Sequence, residues 1–279
     1  MSIQLFNKTA FKNSELITKS YSTSFSLGIR TLDKSLHEPI YAIYGLVRYA
    51  DEIVDTFHQH DKEALLDAFK KDTFQAIEAG ISLNPVLQSF QLTVNEFDID
   101  HDLINAFFRS MAMDLDNSSY DQGTYEEYIY GSAEVVGLMC LKVFCDGDQV
   151  EYDRLKFSAK KLGAAFQKVN FLRDLQSDFE DRGRIYFPGV DFQNFSKADK
   201  IKIEQDIQED FNEALKGIKQ LPIKARSGVY LAYVYYLGLF RKIRRLQPNN
   251  IMESRTRIPD LKKLMILIGV YFRTQLSLI

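Results

Sequence analysis

Residues 41–55 read YAIYGLVRYADEIVD, a stretch in which apolar side chains recur at helical spacing around two acidic residues. On an α-helix, residues four apart share a face, so Asp51 and Asp55 point the same way. Like charges at this spacing destabilise an isolated helix. The stretch therefore predicts a helix whose acidic face needs a compensating positive charge.

Residues 167–178 read QKVNFLRDLQSD and place Asn170, Asp174 and Asp178 on one face over three successive turns. A hard divalent cation with oxygen ligands would supply the compensating charge. An acidic pair at this spacing usually lies on a solvated face. Both stretches are strongly apolar, however, and carboxylates are rarely buried in such segments without partners. The pattern therefore favours a site over a solvated surface.

The composition is typical of a packed helical protein, with 279 residues, 46% hydrophobic side chains, 14 Gly and 6 Pro. No alternating strand pattern, repeat or linker divides the chain, so we predict one all-α domain over 1–279. The apolar periodicity and the turn residues predict helices at about 9–30, 38–57, 61–79, 85–97, 101–116, 124–146, 150–182, 196–219, 223–246 and 257–277.

The charge is unevenly distributed along the chain. The net charge is −3 and gives no reason to predict a nucleic-acid partner, but residues 241–279 carry nine Lys/Arg against two Asp/Glu. This C-terminal region has a balance of +7 and the remaining residues −10. A basic end on an acidic body suggests contact with a phosphorylated ligand or a lipid surface, and a solvated helix face is the alternative. We therefore hypothesise peripheral membrane contact through this region.

The compartment follows from what the sequence lacks. Cys140 and Cys145 make no disulfide framework, which fits a reducing cytosol. The first residues show no signal-peptide pattern, and the longest apolar run near the C-terminus, Leu264–Phe272, is too short to span a membrane. We predict a cytoplasmic protein, either soluble or peripheral at the inner membrane surface.

Two acidic helix faces that oppose each other across a cavity would suit Mg²⁺, which prefers one or two carboxylates plus substrate phosphate oxygens. Arg48 and Arg173 adjoin the acidic residues, and Arg forks also suit phosphate. The predicted ligand is therefore a diphosphate group on an organic substrate. The metal ions and the arginines would assist its departure as a leaving group. A carbocation left behind needs a dry cavity with π-faces. The candidates for these π-faces are Phe25, Tyr44, Tyr128 and Phe166. Any one of these aromatic residues, taken alone, more often lies in a core than in a pocket.

The chain resembles the head-to-head trans-isoprenyl diphosphate synthases, the phytoene and squalene synthase family. Four blocks carry the resemblance and together span most of the chain: residues 21–25 (YSTSF), 41–55, 128–137 (YIYGSAEVVG) and 163–188. The second and fourth blocks are highly specific in combination. The resemblance implies a single-domain isoprenoid-synthase helical bundle with a central cavity.

The resemblance also implies roles for individual residues. It assigns Mg²⁺ or Mn²⁺ binding to Asp51, Asp55, Asn170, Asp174 and Asp178. It assigns contact with diphosphate, or support of the residues that make this contact, to Ser22, Ser24, Arg48, Gln167, Arg173 and Arg184. Tyr128 would lie beside the reacting allylic carbons, and Asp114 matches the family pattern less closely.

The chain departs from the family pattern at three positions. Glu52 stands where a second adjacent Asp is common, Glu134 where Gly is common, and Ser177 where an acidic residue is common. Glu134 is either a neutral variation or a change in the cavity wall. None of the departures removes a residue that the resemblance assigns to the metal ions.

Within the family, the fourth block is most similar to bacterial phytoene synthases. The implied reaction joins two geranylgeranyl diphosphates through prephytoene diphosphate to phytoene, with no requirement for NADPH. The nearest alternative is squalene or dehydrosqualene synthesis from farnesyl diphosphate. A non-catalytic relative that serves in assembly or lipid carriage is an alternative of another class, and a head-to-tail prenyltransferase is a third.

Overall fold

The computed structural model of the chain describes residues 2–116, 120–180, 186–190, 195–253, 266–267 and 270. All regular secondary structure within these ranges is helical. The first six helices are α1 (Ile3–Tyr21), α2 (Thr23–Arg30), α3 (His37–Thr56), α4 (Lys62–Ala79), α5 (Pro85–Phe97) and α6 (His101–Asp116). The next six are α7 (Gln122–Ile129), α8 (Val135–Phe144), α9 (Gln149–Glu180), α10 (Lys197–Ile218), α11 (Ile223–Arg244) and α12 (Pro248–Glu253). A 3-10 turn, Lys34–Leu36, precedes α3, and a π-helical turn, Tyr130–Glu134, joins α7 to α8.

The prediction of an all-α fold is confirmed, and local signals explain why most helix bounds agree. Helices α5 and α6 have the predicted bounds, and α3, α4, α9, α10 and α11 agree within two residues. At the start of α5, for example, the Asn84 side chain accepts a hydrogen bond from the backbone of Val86 at 3.0 Å, and Pro85 occupies the first turn. The predicted helix at 257–277 lies almost entirely outside the described residues.

One predicted helix, at 9–30, is wrong because the chain breaks at Ser22. This residue adopts an extended backbone conformation, and its hydroxyl accepts a hydrogen bond from the backbone of Phe25 at 3.2 Å. Ser competes for backbone hydrogen bonds and is a preferred N-cap, so it ends α1 and starts α2. The break turns α2 so that Phe25 lies against Tyr44 of α3, with ring centroids 5.8 Å apart.

The predicted helix at 124–146 is also interrupted, by the π-helical turn. A Cβ on Gly131 would lie 2.5 Å from the backbone oxygen of Ala106, so only glycine allows α6 to approach this closely. Helical periodicity does not reveal such a turn, although π-turns often occur at functional sites. Pro248 begins α12, because proline is well accommodated in a first turn.

The described helices enclose a cavity beside a hydrophobic core. Most buried apolar residues of the described chain belong to one cluster, in which Phe107, Phe108 and Phe211 are among the largest fully buried side chains. Helices α3 and α9 contribute the most lining residues of the cavity wall. Helices α2, α8 and α11 contribute fewer, together with short stretches of α6, α7, α10 and the π-helical turn. Within the described residues, no helix has the length and apolar character needed to cross a membrane.

Candidate active site

The cavity has a volume of about 640 Å³ and runs along much of α9. Its lining residues on this helix extend from Leu155 to Asp178, about 35 Å along the axis at the usual rise per residue. The wall around Leu155 is apolar, with Phe144 and Leu221 among its members. Carboxylates and guanidinium groups are concentrated at the other end, so the cavity combines a polar end with a long apolar one.

The residues predicted to bind metal all line this cavity, although they come from two helices far apart in sequence. Asp51 and Asp55 lie on α3, and Asn170, Asp174 and Asp178 lie on α9. Within the described residues, no three His, Cys, Asp or Glu side chains form a ready-made metal cluster. Mg²⁺ often takes one or two protein carboxylates and completes its coordination with water and phosphate oxygens. Metal binding by these five residues therefore stays a prediction.

The surroundings of Asn170 indicate whether the polar end of the cavity suits a bound cation. Its Oδ1 is buried and has no hydrogen-bond partner in the described part of the chain, while its Nδ2 lies 3.4 Å from Gln167 Oε1. A buried oxygen without a partner is costly and requires an explanation. A hard cation takes such an amide oxygen as a ligand. Asn170 and the neighbouring carboxylates thus form a donor set that suits Mg²⁺ or Mn²⁺.

Two arginines neutralise part of the acidic end. The guanidinium of Arg173 forks onto Asp174, with Nε–Oδ1 at 3.0 Å and Nη2–Oδ2 at 2.5 Å. Arg48 forms an ion pair with Glu52, approaches Asp51 to 3.9 Å and lies 4.4 Å above the ring of Tyr21. Both arginines line the cavity, so both are within reach of a bound anion.

Four predicted substrate-binding residues, which come from the first and second blocks, separate into two groups. Phe25 and Tyr44 line the cavity, whereas Ser22 and Ser24 are not among its lining residues in the described chain. Ser22 instead caps α2, where its hydroxyl accepts a hydrogen bond from the backbone of Phe25. Ser24 lines a small adjoining cleft, which shares Phe25 and Tyr236 with the cavity and has no carboxylate among its lining residues in the described chain.

The remaining predicted residues have the following positions. Gln167 and Arg173 line the cavity beside the acidic face of α9. Arg184 lies outside the described residues. Glu134, which was considered as a possible change in the cavity wall, does not line the cavity and forms an ion pair with Lys160 at 3.1 Å.

Tyr128 lies in the cavity wall and is held by a carboxylate. Its hydroxyl donates to Asp114 Oδ2 at 2.8 Å, and the Tyr120 hydroxyl donates to Asp114 Oδ1 at 3.3 Å. Burial, followed by the Asp114 charge, raises the pKa of Tyr128 well above its usual value. The phenol therefore remains protonated at neutral pH, and its ring has a fixed orientation next to Tyr186, with centroids 5.3 Å apart.

Aromatic pairs flank the polar end, and sequence reasoning identified only some of their members. Phe166 stacks on Tyr236 at 4.0 Å, and Phe171 stacks on Tyr186 at 4.0 Å. All four rings line the cavity. Tyr186 lies within the fourth block of the resemblance, but no pattern in the sequence distinguishes Tyr236 from the other tyrosines of α11. Such side chains become recognisable only when the helices are packed.

The comparisons with known proteins agree with the family resemblance of the sequence. The model of the squalene/phytoene synthase family matches residues 18–262. A phytoene synthase of Arthrospira platensis is 28% identical, over 90% of this chain and 89% of the relative. A 15-cis-phytoene synthase of Synechocystis sp. is 29% identical, over 95% of this chain and 86% of the relative. Among solved structures, a dehydrosqualene synthase in complex with ligand has a TM-score of 0.81 at 22% identity, covering 96% of this chain and 98% of that chain, which shows a shared fold.

Proposed function

The chain belongs to the squalene/phytoene synthase family and is a prenyl-transferring enzyme, and from this premise we propose that it is a phytoene synthase. In this proposal two molecules of geranylgeranyl diphosphate condense head to head. The observation that carries it is a cavity in which carboxylates and arginines lie at one end and apolar side chains lie at the other. The first end suits diphosphate and the second suits a long prenyl chain.

The polar end would bind and release diphosphate. Mg²⁺ or Mn²⁺, when bound by the predicted ligands, would neutralise the diphosphate and assist its departure. Arg173 and Arg48 now contact Asp174, Glu52 and Asp51. When diphosphate arrives, we expect each guanidinium to donate to phosphate oxygens while the carboxylates contact the cation. This exchange keeps charge balanced in the presence and absence of substrate.

The reaction consumes no reductant. In the first half, the C1–O bond of one substrate breaks, and its allylic cation is attacked by the C2–C3 double bond of the second substrate. Loss of a proton then closes a cyclopropane ring and gives prephytoene diphosphate. In the second half, the remaining C–O bond breaks, the cation rearranges and a second proton is lost, which gives phytoene. Two diphosphates and two protons are released, so no NADPH is required.

The chain's own side chains would protect these cations from water. The rings of Tyr128, Phe166 and Tyr236 line the wall next to the polar end and present π-faces, which stabilise positive charge without forming a bond to it. The hydrogen bond to Asp114 keeps the Tyr128 hydroxyl engaged. The apolar wall beyond them excludes water, which would otherwise capture the cation.

The product is a hydrocarbon, so contact with a membrane would assist its release. Arg241, Lys242, Arg244 and Arg245 end α11, and all four are exposed. A basic surface of this kind attracts anionic lipid. We expect the cytoplasmic protein to float with vesicles containing anionic lipid and less with neutral vesicles. Equal flotation with both would remove this part of the proposal.

The proposal is tested by parallel incubation of the purified protein with geranylgeranyl diphosphate and with farnesyl diphosphate. Mg²⁺ is present or chelated, NADPH is present or absent, and extracted hydrocarbons are identified by mass. Phytoene that forms without NADPH and disappears on chelation supports the proposal. A thirty-carbon product would indicate a squalene or dehydrosqualene synthase, and a linear elongated diphosphate a head-to-tail enzyme. No product from either substrate would favour a non-catalytic role.

A further inference from the structure

The face of α9 that points away from the predicted ligand residues carries two lysines bound to α10. Lys168 Nζ lies 2.7 Å from Asp210 Oδ2 and 2.5 Å from Asp206 Oδ2. Lys161 Nζ lies 2.8 Å from the other oxygen of the same carboxylate, Asp210 Oδ1. Asp210 is 1% exposed and Lys168 is 7% exposed, so this part of the network is buried.

Stability alone is a weak reason for such an arrangement. The cost of removing two charges from water offsets much of their attraction, and apolar residues of similar volume often serve equally well. None of the four charged residues lines the cavity, so none is available to contact substrate. A buried pair of this type can instead specify one relative arrangement of the elements that it joins.

The geometry of the network fixes α9 in two respects. Lys161 and Lys168 are two helical turns apart, and each binds a different oxygen of Asp210. A slide of α9 along its axis would lengthen at least one of these contacts. A rotation would carry Lys168 away from α10, and the same rotation would turn its sequence neighbours Gln167 and Asn170, which line the cavity.

We propose that Asp210 is a positioning residue, which acts through Lys168 and Lys161 to hold the diphosphate-binding face of α9 in place. The inference rests on the proposed function, because it assumes that this face binds diphosphate. It assigns the network a role in the affinity for diphosphate in addition to any role in folding. The network acts by positioning α9 and not by attracting diphosphate with positive charge, because Asp206 and Asp210 already neutralise the two lysines.

The test uses the double variant Lys168→Met with Asp210→Asn, which removes both buried charges. The amide oxygen of the new side chain at position 210 remains available as a hydrogen-bond acceptor for Lys161. Affinity for inorganic diphosphate in the presence of Mg²⁺ is measured by calorimetry, and the melting temperature is measured in parallel. The matched control is Lys200→Met with Glu204→Gln, which removes a buried ion pair within α10 away from the cavity. Asp210→Asn alone serves if the double variant does not fold.

We expect the double variant to melt close to the wild-type temperature but to bind diphosphate about tenfold more weakly, because small misplacements of binding groups are costly. We expect KM for the prenyl diphosphate to rise more than kcat falls, and the control to bind diphosphate as the wild type does. Wild-type affinity in a folded double variant would overturn the inference, as would an equal loss in the control. If the wild type binds diphosphate but makes no hydrocarbon, the proposed function fails and the positioning test still stands. A wild type that binds no diphosphate would overturn both.

Discussion

Two acidic pairs in this chain have the same spacing and different surroundings. Asp174 and Asp178 on α9 line the cavity, whereas Asp206 and Asp210 on α10 bind lysines from α9. The second pair has cations from the chain itself. The first pair has Arg173 on Asp174 and shares its cavity with Asp51, Asp55 and Asn170, whose buried oxygen has no hydrogen-bond partner among the described residues. Four-residue spacing therefore does not identify a metal site, and whether the pair lines a cavity is the better criterion.

The comparison predicts that the largest loss of activity follows removal of a carboxylate from the cavity. We expect Asp174→Ala to lower kcat/KM for hydrocarbon formation by about 10²- to 10³-fold, because a preorganised group that stabilises developing charge is lost. Asp51→Ala should behave in the same way. Circular dichroism and the melting temperature serve as controls for folding. Substantial activity in a folded Asp174→Ala protein would contradict the assignment of this residue to the metal ions.

The second prediction concerns stability and the pair on α10. Asp210→Ala leaves Lys168 buried with one of its two carboxylates, and loss of a buried partner typically costs about 3–5 kcal/mol. We expect a decrease of that size in the free energy of unfolding measured in urea. The Asp206 side chain is 52% exposed, so Asp206→Ala should cost about 1 kcal/mol or less. Equal losses in the two variants would contradict the contrast drawn here between a buried and an exposed partner.

The sequence predicted the fold class and the acidic face of α9 because both depend on periodicity within one helix. It also indicated that α3 and α9 share a site, through their common pattern and the family resemblance. It did not predict the lysine network, since the contact of Lys168 with Asp210 depends on how α9 packs on α10. For the same reason Tyr236 was missed, and nothing in the sequence indicated that Ser24 lines an adjoining cleft; its contact with diphosphate stays a prediction.

The third prediction separates the two acidic pairs by ligand binding. With Mg²⁺ and inorganic diphosphate at about 100 times the dissociation constant, linkage predicts a stabilisation of about 2.7 kcal/mol. The melting temperature of the wild type should therefore rise by at least about 5 °C. Asp174→Asn should abolish the shift, and Asp206→Asn should retain it. A shift that disappears in Asp206→Asn but persists in Asp174→Asn would reverse the roles of the two pairs.

The smallest expected effect concerns an acidic residue at which the chain departs from the family pattern. Glu134 forms an ion pair with Lys160, both side chains are partly exposed, and Glu134 does not line the cavity. Glu134→Gln should therefore lower the free energy of unfolding by about 0.2–1 kcal/mol and leave kcat, KM and the product unchanged. Lys160→Met removes the same ion pair from its other side and should have a similar effect. A changed product in Glu134→Gln but not in Lys160→Met would show that the Glu134 carboxylate reaches the reacting prenyl chain. An acidic residue would then affect catalysis even though it is already paired with a lysine of the same protein.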